Sequence, residues 1–511
     1  MRLFLCVLVL LLSPLGKLAA APLPAPAPAG HFGVAAHSDV NIEWWYVNAH
    51  VTTEKGRHLA LIGSFFRFGS GVNPLDGSPM PRAHYLIYAV TDLDAKTQRP
   101  YSLADSTMVN LLRQFGPLLA AQNPGDKGMK AFLADLSAGN LPPPSQEIAG
   151  KSSVVNSPFH VAYGADNTLA ATNSANTAFD LNLNAGGPDK IHLTLVAQKP
   201  PMAVGGKGET GLKSPTDMYY FSLTRCAVGG TIDTGAGPEK ITGGQGWFDH
   251  QWGNSWVASN DGWDWWGVQL DDGTDILFFR QRDLKTGRIF YPLATFMDKN
   301  GHQTVTKNIV FTPDPKALWK SPTSGVTYPL GWTVAFPDYG LSLDITAEVQ
   351  NQEMPILGPG AGIWEGLCSV KALYGNVLPN GQMNEDQTGL TGTGGVAYME
   401  LVGYGSPAVK AKLVGVRCIS TSDKSYGRQK GHDHGRNNTA DAENACAGSA
   451  AQSDTCGECT LGKTTGPPLR RPALSASGHR GSVPAGLLLP QGKVRGRSRW
   501  KHSPSREHSA T

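Results

Sequence analysis

The chain is poor in charge and carries none of the common catalytic signatures. Asp, Glu, Lys and Arg make up 17% of its 511 residues against 40% apolar, which excludes a chain disordered throughout and is enough for two or three domains. No Gly-x-Ser-x-Gly elbow, Walker loop or His-Glu-x-x-His occurs, which removes the nucleophile-elbow hydrolases, P-loop enzymes and zincins. No cofactor and no metal are expected in the body. Beyond the amino terminus no uninterrupted apolar run reaches the roughly 18 residues of a transmembrane helix, so none is expected in the mature protein. Positive charge is scarce where it would matter for nucleic acid: residues 22–416 hold 27 basic against 34 acidic side chains, a net −7. A nucleic-acid-binding body is disfavoured.

Cysteine is equally sparse in the body. Of seven, Cys6 lies in the first apolar run and Cys418, Cys446, Cys456 and Cys459 lie near the carboxyl terminus. Cys226 and Cys368 remain, and such a distant pair reads as two separate buried thiols, although an oxidising compartment would permit a bridge. Glycine and proline are abundant, at 61 and 36. Without a three-residue period they point to loop-rich β structure, not to collagen or a helix bundle.

Residues 1–21 read as a secretory signal: Arg2 supplies the positive end, Leu3–Leu15 the apolar segment and Leu18-Ala19-Ala20-Ala21 the cleavage site. An exported protein, periplasmic or extracellular, is expected. Residues 22–30 form a Pro/Ala spacer. From Arg417 the composition changes, with 15 basic against 7 acidic side chains, no Phe, one Tyr and one Trp in 95 residues. Such a segment buries too little apolar surface to offset its ordering entropy. Residues 417–511 are therefore expected to be a disordered basic tail, either solvated or an out-of-frame or fused extension. Its His432, His434, Cys456 and Cys459 only superficially resemble metal ligands.

Between these ends the pattern is all-β. Glu43–Val51 and Leu59–Phe68 are apolar and aromatic runs around a turn, hence a hairpin. Tyr85–Thr91, Ala178–Leu183, Ile191–Ala197, Met218–Thr224, Trp263–Leu270, Ile276–Arg280, Leu341–Val349 and Ala397–Tyr404 repeat the pattern, and Asp271-Asp272-Gly273 closes a tight hairpin. Ser106–Ala121 and Lys130–Ala138 read as short helices. The Gly-rich stretch 235–246 suggests a division into domains 31–238 and 239–416.

Gly246-Trp247-Phe248-Asp249-His250-Gln251-Trp252-Gly253 packs three aromatics, an acid and a histidine into one strand length. A period of two places Phe248, His250 and Trp252 on one face and Trp247, Asp249 and Gln251 on the other. His250 is either a core histidine satisfied by a neighbour, the commoner use, or part of a site. Trp263-Asp264-Trp265-Trp266 follows, and the Trp clusters either line an apolar cavity or fill a barrel core. Glu43, Glu365 and Glu400 sit in apolar runs as buried acceptors or as acids with raised pKa.

Taken in order, Glu43-Trp44-Trp45-Tyr46, Tyr219-Tyr220-Phe221-Ser222, the 246–253 segment, Gly262-Trp263-Asp264-Trp265, residues 270–283, Trp364-Glu365-Gly366 and Tyr398–Tyr404 resemble the carotenoid 1,2-hydratase/AttH family over about residues 35–405. The resemblance implies two tandem lipocalin-like antiparallel β-barrels holding an elongated apolar ligand such as an isoprenoid, polyketide or lipid. The family's hydratases add water to a terminal polyene double bond with a His-x-Trp pair and a later Tyr-x-Asp. His250 and Trp252 match the pair. Ile276-Leu277-Phe278-Phe279-Arg280 stands where the second motif should fall and holds no acid, so Asp249, Asp264 or Glu365 would have to supply the proton. The expected catalytic set is His250, Trp252 and Asp249, and the expected ligand-binding set is Trp44, Tyr46, Trp247, Trp263, Trp265 and Glu365. The missing acid favours a binding protein for hydrophobic molecules; a hydratase or related cyclase is the alternative.

Overall fold

The computed structural model describes residues 33–409 apart from 70–77, 79–80, 123–126, 142, 213, 215–216, 255–260, 357–361, 376, 379–380, 383–390 and 407–408. The expected signal, spacer and basic tail lie outside the described residues. Within them the chain is almost entirely β, as its alternating apolar pattern dictates. Two helices, Ser106–Gln122 and Lys127–Ser137, occupy the places expected of them, and no described helix is long and apolar enough to cross a membrane.

Two large sheets carry the fold. The first runs, edge to edge, through Ser145–Glu147, Thr97–Ala104, Ala83–Asp92, His58–Phe68, Ile42–Thr53, Pro238–Gly253, Met218–Thr234, Asp189–Ala197, Ala178–Asn184, Asn167–Ala171, Phe159–Tyr163 and Ser152–Asn156. It curls until its far edge returns to its middle. Trp45 meets Phe159 with ring centroids 5.7 Å apart, Phe65 meets Tyr163 at 5.2 Å, and the Tyr163 hydroxyl donates to the Phe66 carbonyl at 2.8 Å. The second sheet runs through Gln303–Thr306, Ile289–Met297, Asp275–Asp283, Asp261–Leu270, Thr391–Val402, Gly362–Tyr374, Leu341–Ala347, Gly331–Phe336 and Val310–Pro313. It curls likewise, bringing Phe311 at one edge to 5.7 Å from Trp266 and 6.1 Å from Phe278.

Pro238–Gly253 pairs with Ile42–Thr53 and Met218–Thr234 inside the first sheet. The change of sheet therefore falls between Gly253 and Asp261, not at the 238/239 division. The Gly-rich stretch expected as a boundary is the bend of a long hairpin, because its glycines relieve crowding without ending the strand. Gly253 itself, at φ +149°, is where the chain leaves: a Cβ there would stand 2.1 Å from the Asp217 carbonyl.

The central strands of both sheets bury residues on both faces, and this gives three large cores. The first sheet encloses Trp45, Val47, Phe65, Tyr163, Phe179 and Phe248. The second encloses Trp266, Phe278, Trp332, Phe336 and Trp364. Between the sheets lies a third, built from their outer faces and including Tyr46, Trp247, Tyr220, Trp265, Phe279, Leu367 and Tyr398. Cys226 belongs to the first core and Cys368 to the second, and both are free, buried thiols.

Candidate active site

Strand alternation sorts the residues expected in the site onto two separate faces. Trp247, Asp249 and Gln251 turn toward the junction between the sheets, while Phe248 and His250 turn into the first barrel. His250 is fully buried beside Trp45, with ring centroids 5.2 Å apart. Its Nδ1 lies 2.6 Å from the Gly33 carbonyl and its Nε2 3.1 Å from Glu43 Oε1. Trp252 packs against His37 at 4.2 Å and against Tyr219 and Phe221. Both residues thus fasten the 33–41 segment to the first barrel, and neither shares a face with Asp249.

Glu43 is the hub of that latch. It accepts from His37 Nδ1 at 2.8 Å and pairs with Arg67 at 2.6 Å. Burial alone would raise its pKa, but the bonds from His250 and His37 and the charges of His250 and Arg67 bring it down to about 2. Burial dominates at His250 and lowers its pKa, with Glu43 opposing. His37, Glu43 and His250 each point one ligand atom into a space within which these atoms lie 4.8 Å or less apart. This is a donor set of the kind that binds a transition metal, yet the Arg67 guanidinium already holds the second carboxylate oxygen and its charge opposes a cation there.

At the junction the picture is different. Tyr46 donates to Glu365 Oε1 at 2.6 Å, and Asn48 donates to the Tyr46 hydroxyl at 3.2 Å. Tyr220 donates to Asp249 Oδ2 at 2.7 Å, the Trp247 indole N–H to Asp249 Oδ1 at 2.6 Å, and the Trp265 indole N–H to the Tyr220 hydroxyl at 2.9 Å. Glu400 stands directly opposite Glu365 across the strand pair and accepts from the Trp263 indole at 2.9 Å. Every one of these donors is an aromatic or amide side chain, not a cation. Burial therefore prevails. It pushes Asp249 up to about 7 against the bonds from its donors Tyr220 and Trp247. Glu400 rises by burial to about 7, and Glu365 rises well above the carboxylate range by burial reinforced by the Glu400 charge. Tyr46, Tyr220 and Tyr398, buried beside these acids, are pushed far above their ordinary value and stay protonated.

The junction thus gathers Tyr46, Trp247, Trp265 and Glu365, with Trp44 and Trp263 half-buried against the same core, together with Asp249. Sequence reasoning did not assign Tyr220 or Asn48 to the site. Their signal was available in the alternation of the strands that carry them, since each stands one pleat repeat from a residue that faces the junction. Asp264 takes no part. It turns into the second barrel, where Arg280 donates to it at 2.7 Å, Arg282 pairs with it and Tyr404 donates at 2.9 Å. Burial would raise its pKa, but the Arg282 and Arg280 charges lower it, so it cannot serve as a proton donor near neutral pH. A separate open depression lined by Asp166, Thr168, Asn182, Lys190 and His192 lies on the solvent side of the first sheet and holds none of these groups.

Three comparisons bear on this arrangement. The model of a family described as AttH-like matches residues 144–404, just over half the chain. Dehydratase asqC of Emericella nidulans is 28% identical over 166 residues, 31% of this chain and 46% of that protein, so the chain matches about half the length of this curated relative. Among solved structures, a protein labelled AttH from Nitrosomonas europaea superposes with a TM-score of 0.54 at 22% identity, over 75% of this chain and 100% of that one. Kievitone hydratase from Nectria haematococca superposes with a TM-score of 0.51 at 15% identity, over 75% and 94%. These structures share the double-sheet fold. By its own match over residues 144–404, the chain belongs to the AttH-like family.

Proposed function

We propose that the chain is a hydro-lyase, an enzyme that adds water to or removes it from a carbon–carbon bond of an apolar molecule held at the sheet junction. The observation that carries this reading is the set of three carboxyls, Asp249 and Glu365 buried and Glu400 half-buried, two of them poised at about 7. General acids and bases work best when their pKa lies near the working pH, and burial is the usual means of raising a carboxyl that far. The partial match to a dehydratase agrees with that chemistry.

The roles follow from the environments. Glu365, the most strongly raised, is the acid: its proton passes to one alkene carbon, and the electron pair of the double bond forms the new C–H bond. The Trp265 indole beside Tyr46, 5.8 Å away and edge-on, offers a π-face to the cation left on the neighbouring carbon. Water adds to that carbon, and its surplus proton goes to Asp249, which is held at both oxygens by donors and so keeps its orientation as a base. Dehydration is the reverse sequence. Tyr46 and Asn48 position Glu365; Tyr220 and Trp247 position Asp249. His250 and Trp252 are outside this chemistry, and the Asp of the missing Tyr-x-Asp is replaced from other strands. Export through residues 1–21 belongs to the same proposal.

The test is incubation with apolar alkenes, acyclic carotenoids included, and with the corresponding alcohols in 18O-labelled water, followed by mass analysis. Gain or loss of one water, with label incorporation on gain, supports the proposal. Tight binding of such molecules without any turnover rejects it in favour of a carrier.

A further inference from the structure

The junction also holds two polar groups that the acid–base chemistry does not use. Gln251 and Gln281 are 2% and 1% exposed, and among the described residues the side-chain amide nitrogen of each has no hydrogen-bond partner. Both stand on the junction face. Gln251 lies opposite Trp44 and Tyr220 and one pleat repeat from Asp249. Gln281 lies opposite Trp263, one pleat repeat from Phe279, which packs in the junction core. The two come from different sheets: Gln251 is two residues before Gly253, where its strand ends, and Gln281 lies opposite Trp263, two residues after Asp261, where that strand begins.

A buried N–H without a partner forfeits its bond to water and gains nothing in return, so such groups are rare unless something else completes them. Two of them stand on the junction face, each opposite a half-buried indole, Gln251 beside Trp44 and Gln281 beside Trp263. Amide nitrogens only donate. What completes them must accept.

We infer that the molecule bound at this junction carries at least one accepting oxygen, a carbonyl or hydroxyl, for the Gln251 and Gln281 amides, while its apolar body lies against Trp44 and Trp263. The site takes oxygenated apolar molecules and rejects plain hydrocarbons of the same shape, because a hydrocarbon leaves both donors unpaired. The inference rests on the junction being the reaction chamber and narrows the substrate class of the hydro-lyase proposed above.

The test compares trans-chalcone with trans-stilbene, flat aromatic molecules that differ chiefly by one carbonyl, titrated against the full chain by quenching of tryptophan fluorescence. The expected result is chalcone binding at least about tenfold more tightly, the equivalent of one well-made hydrogen bond. In the Gln251→Leu/Gln281→Leu double variant that ratio should fall below about twofold, with stilbene bound no more weakly and the melting temperature no lower, since Leu removes donors that no described residue satisfies. The single variants serve if the double variant does not fold, each reducing the ratio. Equal affinities in the parent, an unchanged ratio in folded variants, or failure of both probes to bind at their solubility limit overturns the inference. Glu365→Gln separates it from the hydro-lyase proposal: that variant should keep the chalcone preference even where turnover is lost, so selectivity and chemistry fail independently.

Discussion

Replacing Asp249 by Asn should flatten the pH dependence of stability in a direction opposite to that of most proteins. Asp249 ionises near 3.8 when exposed and at about 7 in the fold, so between those values the folded state holds a proton that the unfolded state has released. Stability is then fully present below pH 3.8 and is lost as pH rises through 7. One such group costs about 1.4 kcal/mol per pH unit in that window, or about 4 kcal/mol over its whole span. Asn does not titrate. Its amide oxygen accepts the Trp247 indole N–H, and its amide nitrogen faces the Tyr220 hydroxyl, so most of the local bonding survives. Urea unfolding of parent and Asp249→Asn between pH 4.5 and 6.5 reads the effect directly. The parent should lose stability as pH rises, and the variant's slope should be shallower by about 1.4 kcal/mol per pH unit. Parallel slopes in the two proteins would refute the reading of Asp249 as a buried carboxyl that burial raises to about 7.

The latch behaves oppositely: Glu43, lowered from 4.5 to about 2, contributes stability that is present above 4.5 and lost as pH falls toward 2, so Glu43→Gln should remove much of the acid-side loss while costing about 3–5 kcal/mol at neutral pH, because Arg67 is left buried without its counter-charge; acid titration of circular dichroism checks both. Asp264→Asn strands Arg280 and Arg282 in the second barrel and should destabilise by a similar amount, about 3–5 kcal/mol, read as a drop in urea midpoint. Trp252→Ala should cost about 3–5 kcal/mol as a core deletion while leaving ligand affinity at the junction unchanged, a pair of results that isothermal titration and thermal melts separate.

Much of this architecture was legible in residue order because β structure writes itself as alternation. The 43–51 and 59–68 hairpin, the two helices and the split of Trp247 and Asp249 from Phe248 and His250 could all be read from a period of two or from helical spacing. The sites' separation could not. Glu43, Glu365 and Glu400 look alike in sequence, each a carboxylate in an apolar run. Only the partners brought by distant strands distinguish them: histidines and Arg67 lower Glu43, whereas tyrosines and indoles leave burial to raise the other two. The same is true of the boundary between sheets. A glycine-rich stretch signals a bend, and whether the chain afterwards returns to its own sheet depends on the pairing of Pro238–Gly253 with Ile42–Thr53, a long-range contact that no local pattern encodes.

The decisive measurement is turnover by Glu365→Gln beside His250→Gln, each compared with the parent on whichever alkene or alcohol the parent hydrates or dehydrates, with melting curves to establish that both are folded. Gln at 365 keeps the size and an acceptor for Tyr46 but carries no acidic proton, so the rate should fall by about a hundredfold or more, the usual worth of a general acid. His250→Gln should work at close to the parent's rate, since His250 lies on the other face of its strand. A folded Glu365→Gln protein that retains the parent's rate, or a folded His250→Gln protein that loses it, would contradict the assignment of the chemistry to the junction carboxyls.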